Sequence, residues 1–138
     1  MKGKMKGEQK KQAMTELLDL ELKGLPPTVN AMYRGLHGHR YKTKEAVSYQ
    51  LGVVTGLRIA WNNRPPVTDR VALFITFTAD DRRRWDIDNR VKALQDCFAE
   101  AGVIKDDKQV DILHVERLYG DFNLTRIKLY LIDNLKLI

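Results

Sequence analysis

The chain has 138 residues, a one-domain length able to bury a modest core. Its 43% hydrophobic and 30% charged content mark a soluble globular chain, and no apolar run approaches the ~18 residues a membrane span needs. The net charge is +6, but residues 1–12 hold five lysines and one glutamate, a charge of +4, which leaves +2 for the other 126 residues. The bulk charge is therefore a poor argument for nucleic-acid binding, and the placement of charge matters more. The lysine-rich start lacks the apolar segment of a secretory signal. The single cysteine, Cys97, leaves no internal disulfide and no cysteine-based zinc site. The cytoplasm is the expected compartment.

In chain order, residues 1–13 carry glycines and lysines without an apolar period and read as a disordered basic arm, leaving 14–138 as the folded domain. Leu18, Leu20 and Leu22 alternate with Asp19 and Glu21 as a half-buried strand, with Leu17 as a short helical lead-in. Pro26-Pro27 ends it. Residues 30–44 lack periodicity and read as a loop mixing basic and aromatic side chains around Gly35 and Gly38. That mixture suits a sugar-phosphate backbone or an unstacked base, with Arg34, Arg40 and Lys42 as the candidate DNA contacts. An ordinary solvated loop is the plainer reading. His37 and His39 have a ligand-like spacing, but only His114 offers another imidazole.

Thr43 is the predicted N-cap of an amphipathic helix over residues 44–61, whose Tyr49, Val53, Val54, Leu57, Ala60 and Trp61 recur in steps of three and four. Asn62 to Pro66 terminate it. Residues 70–78, with Val71, Leu73, Ile75 and Phe77 alternating, read as a central strand covered on both faces. A second helix follows Asp88, with Asp88 or Asn89 as N-cap and Val91, Leu94, Phe98 and Ala101 as its buried stripe. Gly102 stands at its C′ position, and Cys97 is a small filler off the stripe centre. Residues 110–118 form an irregular strand. After the turn at 119–123, Leu124 to Ile132 form another, and the two are expected to pair as an antiparallel hairpin. The order β-α-β-α-β-β gives a single α/β (α+β) domain.

The chemistry concentrates at Arg82-Arg83-Arg84-Trp85-Asp86-Ile87-Asp88-Asn89-Arg90-Val91-Lys92. In extended backbone the i, i+2 spacing puts the Asp86 and Asp88 carboxylates on one side of the chain. In a helical turn, Lys92 neighbours Asp88. Asp106-Asp107 supply a second acidic pair. Capping and dipole complementation would account for one aspartate, but not for the lysine, the arginine run and the second pair together. Hard oxygen ligands beside cations suit a magnesium ion acting on a phosphate.

The pattern Asp86-x-Asp88-Asn89-x-x-Lys92, followed by Gly102-Val103-Ile104-x-Asp106-Asp107-x-Gln109-Val110, resembles the RusA family of Holliday junction resolvases. Arg82 to Arg84 and the segment Gly24 to Arg34 fit as well, so the resemblance covers roughly residues 17–133. It implies a mixed sheet and Mg²⁺ (or Mn²⁺) held by Asp86, Asp88 and Asp107, with Asp106 a weaker fourth ligand. It also implies a catalytic Lys92, a capping Asn89, and flanking phosphates held by Arg82, Arg83 and Arg84. The substrate it implies is a four-way DNA junction, cut by paired nicks in recombination and repair. Two symmetric nicks need two sites related by a two-fold axis, hence a homodimer. Competing readings are a nuclease for other branched DNA and a non-catalytic DNA-binding protein of the same fold.

Overall fold

The computed structural model describes residues 13–28, 33–35, 41–83 and 85–133. Of the expected arm at 1–13, only Ala13 lies among them, its carbonyl accepting from the Asp133 amide at 3.0 Å. Strand β1 (Met14–Lys23) is followed by two short strands, β2 (Tyr33–Arg34) and β3 (Tyr41–Lys42). These two pair antiparallel, so a stretch expected to be loop contains a small ribbon. Helix α1 (Lys44–Trp61) leads to β4 (Val71–Ala79). A 3-10 turn (Ile87–Arg90) then opens into α2 (Val91–Glu100), and a second (Asp107–Gln109) precedes β5 (Val110–Tyr119) and β6 (Leu124–Ile132). The result is one small α+β domain: a mixed four-stranded sheet with two helices.

The sheet order is β1-β6-β4-β5. Strand β4 is central, parallel to β5 and antiparallel to β6, so β5 and β6 do not form the expected hairpin. The link at 120–123 instead carries the chain over the end of β4, from one of its neighbours to the other. That is two strand spacings, about 10 Å. The Gly120 amide donates to the Ala79 carbonyl at 3.0 Å, and a Cβ on Gly120 would stand 2.9 Å from Thr78 Cγ2. Only glycine lets the crossing lie this close to the strand beneath it. Alternation cannot reveal this arrangement, because a strand has the same period whichever neighbour it pairs with.

Both helices lie on one face. Val71, Leu73, Ile75 and Phe77 of β4 and Ile127 and Leu129 of β6 form one buried cluster with Val53, Val54, Leu57 and Trp61 of α1 and Leu94 and Phe98 of α2. The helices approach each other through the small pair Ala46 and Ala93. The other face of β4 is only half covered, contrary to the expectation of a strand buried on both sides. There Phe74 meets the Tyr130 ring edge-on at 5.3 Å and lies 5.4 Å from His114, and Arg126 grips Asp19 at 2.8 and 3.0 Å. These hydrogen bonds hold the Asp19 carboxyl below its usual range.

Strand β1 starts at Met14, and Leu17 is no helical lead-in. The register shifts between Glu16 and Leu18, which allows both Leu17 and Leu18 to pack against the core. Arg64, lying over the Trp61 ring at 3.7 Å, donates to the Leu17 carbonyl at 3.0 Å and fastens the shift to the end of α1. Thr43 caps α1, its hydroxyl accepting from the Ala46 amide at 3.2 Å. Helix α2 ends as its glycine predicts. Gly102 has φ +78, its amide reaches the Ala99 carbonyl at 3.1 Å, and the Val103 amide reaches that of Phe98 at 3.0 Å. That turn drives Val103 and Ile104 into the core.

Cys97 is fully buried rather than at the margin of its stripe, with Sγ 3.2 Å from the Ala93 carbonyl, and burial pushes its thiol up to about 12. Thiolate is the reactive form, so Cys97 should be inert to Ellman's reagent in the native chain and react only at the rate of unfolding. A prompt full reaction in native buffer would contradict its place in the core.

Candidate active site

Past Ala79 the chain turns on Asp81, whose carboxylate accepts from the Arg83 amide at 2.9 Å and its guanidinium at 3.2 Å. The amide, then the guanidinium, hold the Asp81 carboxyl below its usual titration range. Trp85 then folds back onto the core, its ring 5.9 Å from Phe77 and tilted 65° to it. Two guanidiniums lie against its indole, Arg90 at 4.5 Å and Arg117 at 4.9 Å. Arg90 also donates to the Pro26 carbonyl at 2.6 Å, and Arg117 to the carbonyl of Trp85 itself at 2.5 Å. Trp85 is thus an anchor fixing the start of the acidic turn between β5 and the segment after β1.

The acidic turn is 3-10, closed by the Asn89 amide on the Asp86 carbonyl at 3.1 Å and the Val91 amide on that of Asp88. Neither Asp88 nor Asn89 caps α2. Arg90 occupies the cap position without a side-chain bond. The 3-10 bonds already occupy amides that a capping side chain would otherwise satisfy, and the aspartates remain unspent. Neither the Asp86 nor the Asp88 carboxylate makes a hydrogen bond or ion pair among the described residues, and both residues are exposed. By contrast Asp19, Asp81, Asp96 and Asp111 are each paired with a basic side chain.

Because β4 and β5 run parallel, their C-terminal ends meet. Phe77 pairs with Arg117 and Ala79 with Tyr119. Beyond them opens a cleft of about 870 Å³, lined by Arg82, Trp85, Asp86, Asn89, Arg117 and Tyr119. Arg82 lies over the Tyr119 ring at 4.7 Å, and Arg117 is 5.7 Å from the same ring. Among the described residues neither arginine has a carboxylate partner. Both guanidiniums are held by aromatic faces, which fix a cation without neutralising it.

Of the sequence-predicted residues, Asp86 and Arg82 line this cleft and Asp88 stands on the turn beside it. Arg83 is engaged with Asp81 and otherwise open to solvent. Lys92 is exposed on α2 and pairs with Asp96 one turn onward at 3.4 Å, not with Asp88. Asp107 does not line the cleft. Its strand enters beside the start of β4, where Val110 pairs with Val71 and the Gln109 amide group donates to the carbonyls of Val67 and Asp69. Asp106 is spent as a cap, accepting from the Lys108 amide at 2.9 Å, a bond that with the adjoining Asp107 carboxyl holds its own carboxyl below the usual titration range. Among the described residues no three acidic, histidine or cysteine side chains converge as a metal cage. Lys42 donates to the Gln50 side chain against α1. Arg84, Arg40, His37 and His39, and the side chain of Arg34, lie outside the described residues.

Sequence reasoning missed Trp85, Arg117 and Tyr119 and gave Asn89 only a capping role. Trp85 carried a legible signal, an aromatic set directly between the arginine run and the first aspartate. Arg117 and Tyr119 carried none. They reach the cleft through the parallel pairing of β5 with β4, which has no local signature.

Two unpaired carboxylates thus stand on a turn at the edge of a cationic, aromatic cleft. The family described as Endodeoxyribonuclease RusA matches residues 24–130, and the chain is 30% identical over 100 residues to the Crossover junction endodeoxyribonuclease RusA of Aquifex aeolicus (strain VF5), covering 72% of this chain and 79% of that protein. The chain belongs to the RusA family of endodeoxyribonucleases.

The two described arginines of the run should behave differently toward DNA. Arg82→Ala should reduce the log–log salt slope of binding by about 1, one lost phosphate contact. Arg83→Ala should change it less, because its guanidinium is already shared with Asp81. Fluorescence anisotropy across a salt series separates them, and equal flattening by both would remove the distinction.

Proposed function

We propose that this chain is a divalent-metal-dependent endodeoxyribonuclease that resolves four-way DNA junctions by paired symmetric nicks in recombination and repair, working as a homodimer with Mg²⁺ (or Mn²⁺). The observation that carries the reading is the Asp86–Asp88 turn, two unspent carboxylates beside two unneutralised arginines, in a chain of this family. The Aquifex relative is named for cleavage of crossover junctions, which is the substrate proposed here.

Mg²⁺ is commonly held by one or two carboxylates plus substrate phosphates, keeping several waters, and two free carboxylates two residues apart fit that demand. Asp86 and Asp88 are therefore the proposed ligands. Asp107 enters as a third through the family pattern alone, and a three-carboxylate cage does not close among the described residues. A bound divalent ion supplies polarisation of the phosphoryl oxygen and an activated water. The rest falls to the chain. Arg82 and Arg117 offer N–H groups to flanking phosphates and offset the repulsion between the aspartates and DNA. Asn89 offers an amide at the same wall. Lys92, on the first turn of α2, is the proposed stabiliser of charge building on the phosphoryl oxygens.

Asp88→Asn should abolish nicking of a synthetic four-way junction with Mg²⁺ while leaving the gel-shift affinity for that junction within a few-fold. Nicking at the wild-type rate would end the ligand assignment.

Lys92→Ala should leave thermal stability nearly intact, because it removes only a surface ion pair. Its cleavage rate should fall at least ~100-fold, on the order of 3 kcal/mol. Lys92→Arg should restore only part of it, since a planar fork does not replace a compact ammonium. Single-turnover cleavage at saturating protein is the deciding measurement. A near-normal rate there, with weakened binding, would make Lys92 a docking residue.

A further inference from the structure

The cleft has more architecture than a phosphate contact requires. A duplex backbone is met by cations on an open surface and needs neither a recess nor aromatic walls. Here an open cleft of about 870 Å³ is lined by two arginines and by the Trp85 and Tyr119 rings. Tyr119 is 40% exposed at the end of β5. Arg82 lies over that ring, so its planar guanidinium, backed by the tyrosine, offers a flat face to a base. Arg117 is held in two ways, by the Trp85 carbonyl and by the Trp85 indole, and its remaining N–H groups carry no carboxylate among the described residues. Trp85 is itself clasped between the Arg90 and Arg117 guanidiniums and acts as a prop for Arg117. Asp86 shares the wall, which sets whatever enters the cleft next to the proposed reaction centre.

We infer that this cleft takes a single unpaired nucleotide adjoining the scissile phosphate, with its base on the Tyr119–Arg82 surface and its phosphate on Arg117. The inference rests on the nuclease reading above and adds to it the state of the substrate: a base drawn out of the duplex stack. Every base has a π-face, so such a platform tolerates sequence and selects for unpairing. At a branch point the bases beside the crossover are the cheapest to unstack, which links the cleft to branched over linear DNA. Tyr119 and Arg117 are positioning residues in this scheme, and neither touches the reacting atoms.

The test uses the full chain in EDTA, so that nothing is cut. The probes are a duplex carrying one unpaired 2-aminopurine, a four-way junction with 2-aminopurine beside the crossover, and a fully paired duplex of equal length. Binding of the wild-type chain to the first two should quench 2-aminopurine emission as the base stacks. Tyr119→Ala should abolish the quench and weaken binding of the unpaired probe about tenfold, with the paired duplex bound within twofold of wild type. Tyr119→Phe should keep both quench and affinity. Arg117→Lys, which keeps the charge but not the planar fork, should weaken the unpaired probe more than the paired duplex. Thermal melting of each variant checks the fold. An undiminished quench in Tyr119→Ala, or equal weakening on paired and unpaired DNA, overturns the inference. Junction nicking by the wild-type chain with Mg²⁺, run alongside, separates the two claims. A chain that nicks without Tyr119-dependent quenching keeps the resolvase reading and loses the cleft. One that quenches through Tyr119 but leaves junctions uncut loses the resolvase reading and keeps the cleft.

Discussion

The parallel pairing of β4 with β5 is the constraint on which the rest depends. Parallel neighbours need a long crossover, and here α2 and its flanking turns provide it. The crossover begins where β4 ends, so the acidic turn is delivered to the C-terminal ends of the strand pair. The end of β5 arrives at the same edge, bringing Arg117 and Tyr119 beside Trp85 and Asp86. Crevices beyond the carboxyl ends of parallel strands are where open α/β sheets hold ligands, and the same geometry applies to this two-strand parallel unit. Strand β6 sits on the other side of β4, and its connection from β5 crosses the same end of the strand pair, over Ala79 with Gly120 pressed against Thr78.

The second organising effect is the use of aromatic faces to store cations. A surface ion pair is worth about 0–1 kcal/mol, and an exposed arginine over a ring about 0.5–1 kcal/mol. The two are energetically interchangeable as far as stability goes, but they differ for function. Pairing Arg82 or Arg117 with Asp86 would cancel the charges that the proposed metal and phosphate would need. Resting them on Tyr119 and Trp85 keeps both signs available on the walls of one cleft. Elsewhere on the surface, where no such demand exists, the acids and bases do pair, as with Arg70 and Asp111 or Arg126 and Asp19.

Much of the fold was legible in the residues. The boundaries of α1, its Thr43 cap, the buried stripe of α2, the Gly102 stop and the alternation of β1, β4 and β6 all follow from periodicity and terminal chemistry. What was not legible is which strand neighbours which. The antiparallel hairpin expected of β5 and β6 fails because four linking residues can reach across an intervening strand as readily as between neighbours. The same gap hid Arg117 and Tyr119, whose importance arises only from that pairing. The aspartates were visible as a cluster in sequence, but their distribution in space was not. Asp86 lies at one end of the β4–β5 pair and Asp107 precedes the strand entering at the other. A motif records order along the chain, while a ligand set requires convergence.

Lys92 illustrates how magnitudes decide between a resting contact and a working one. Its pairing with Asp96 looks at first like an argument against catalysis, since the ammonium points along α2 away from the acidic turn. An exposed i, i+4 pair of this kind contributes only about 0.3–0.5 kcal/mol, less than thermal fluctuations routinely overcome. A phosphate arriving at the proposed site would bring a full negative charge to the turn. Re-aiming a flexible four-carbon stem toward it costs little beyond that pair. The contribution expected of a positioned cation in a transition state is several times larger. The Asp96 contact therefore reads as a parking place on the same helical face: it keeps Lys92 extended and local without binding it strongly enough to hold it there.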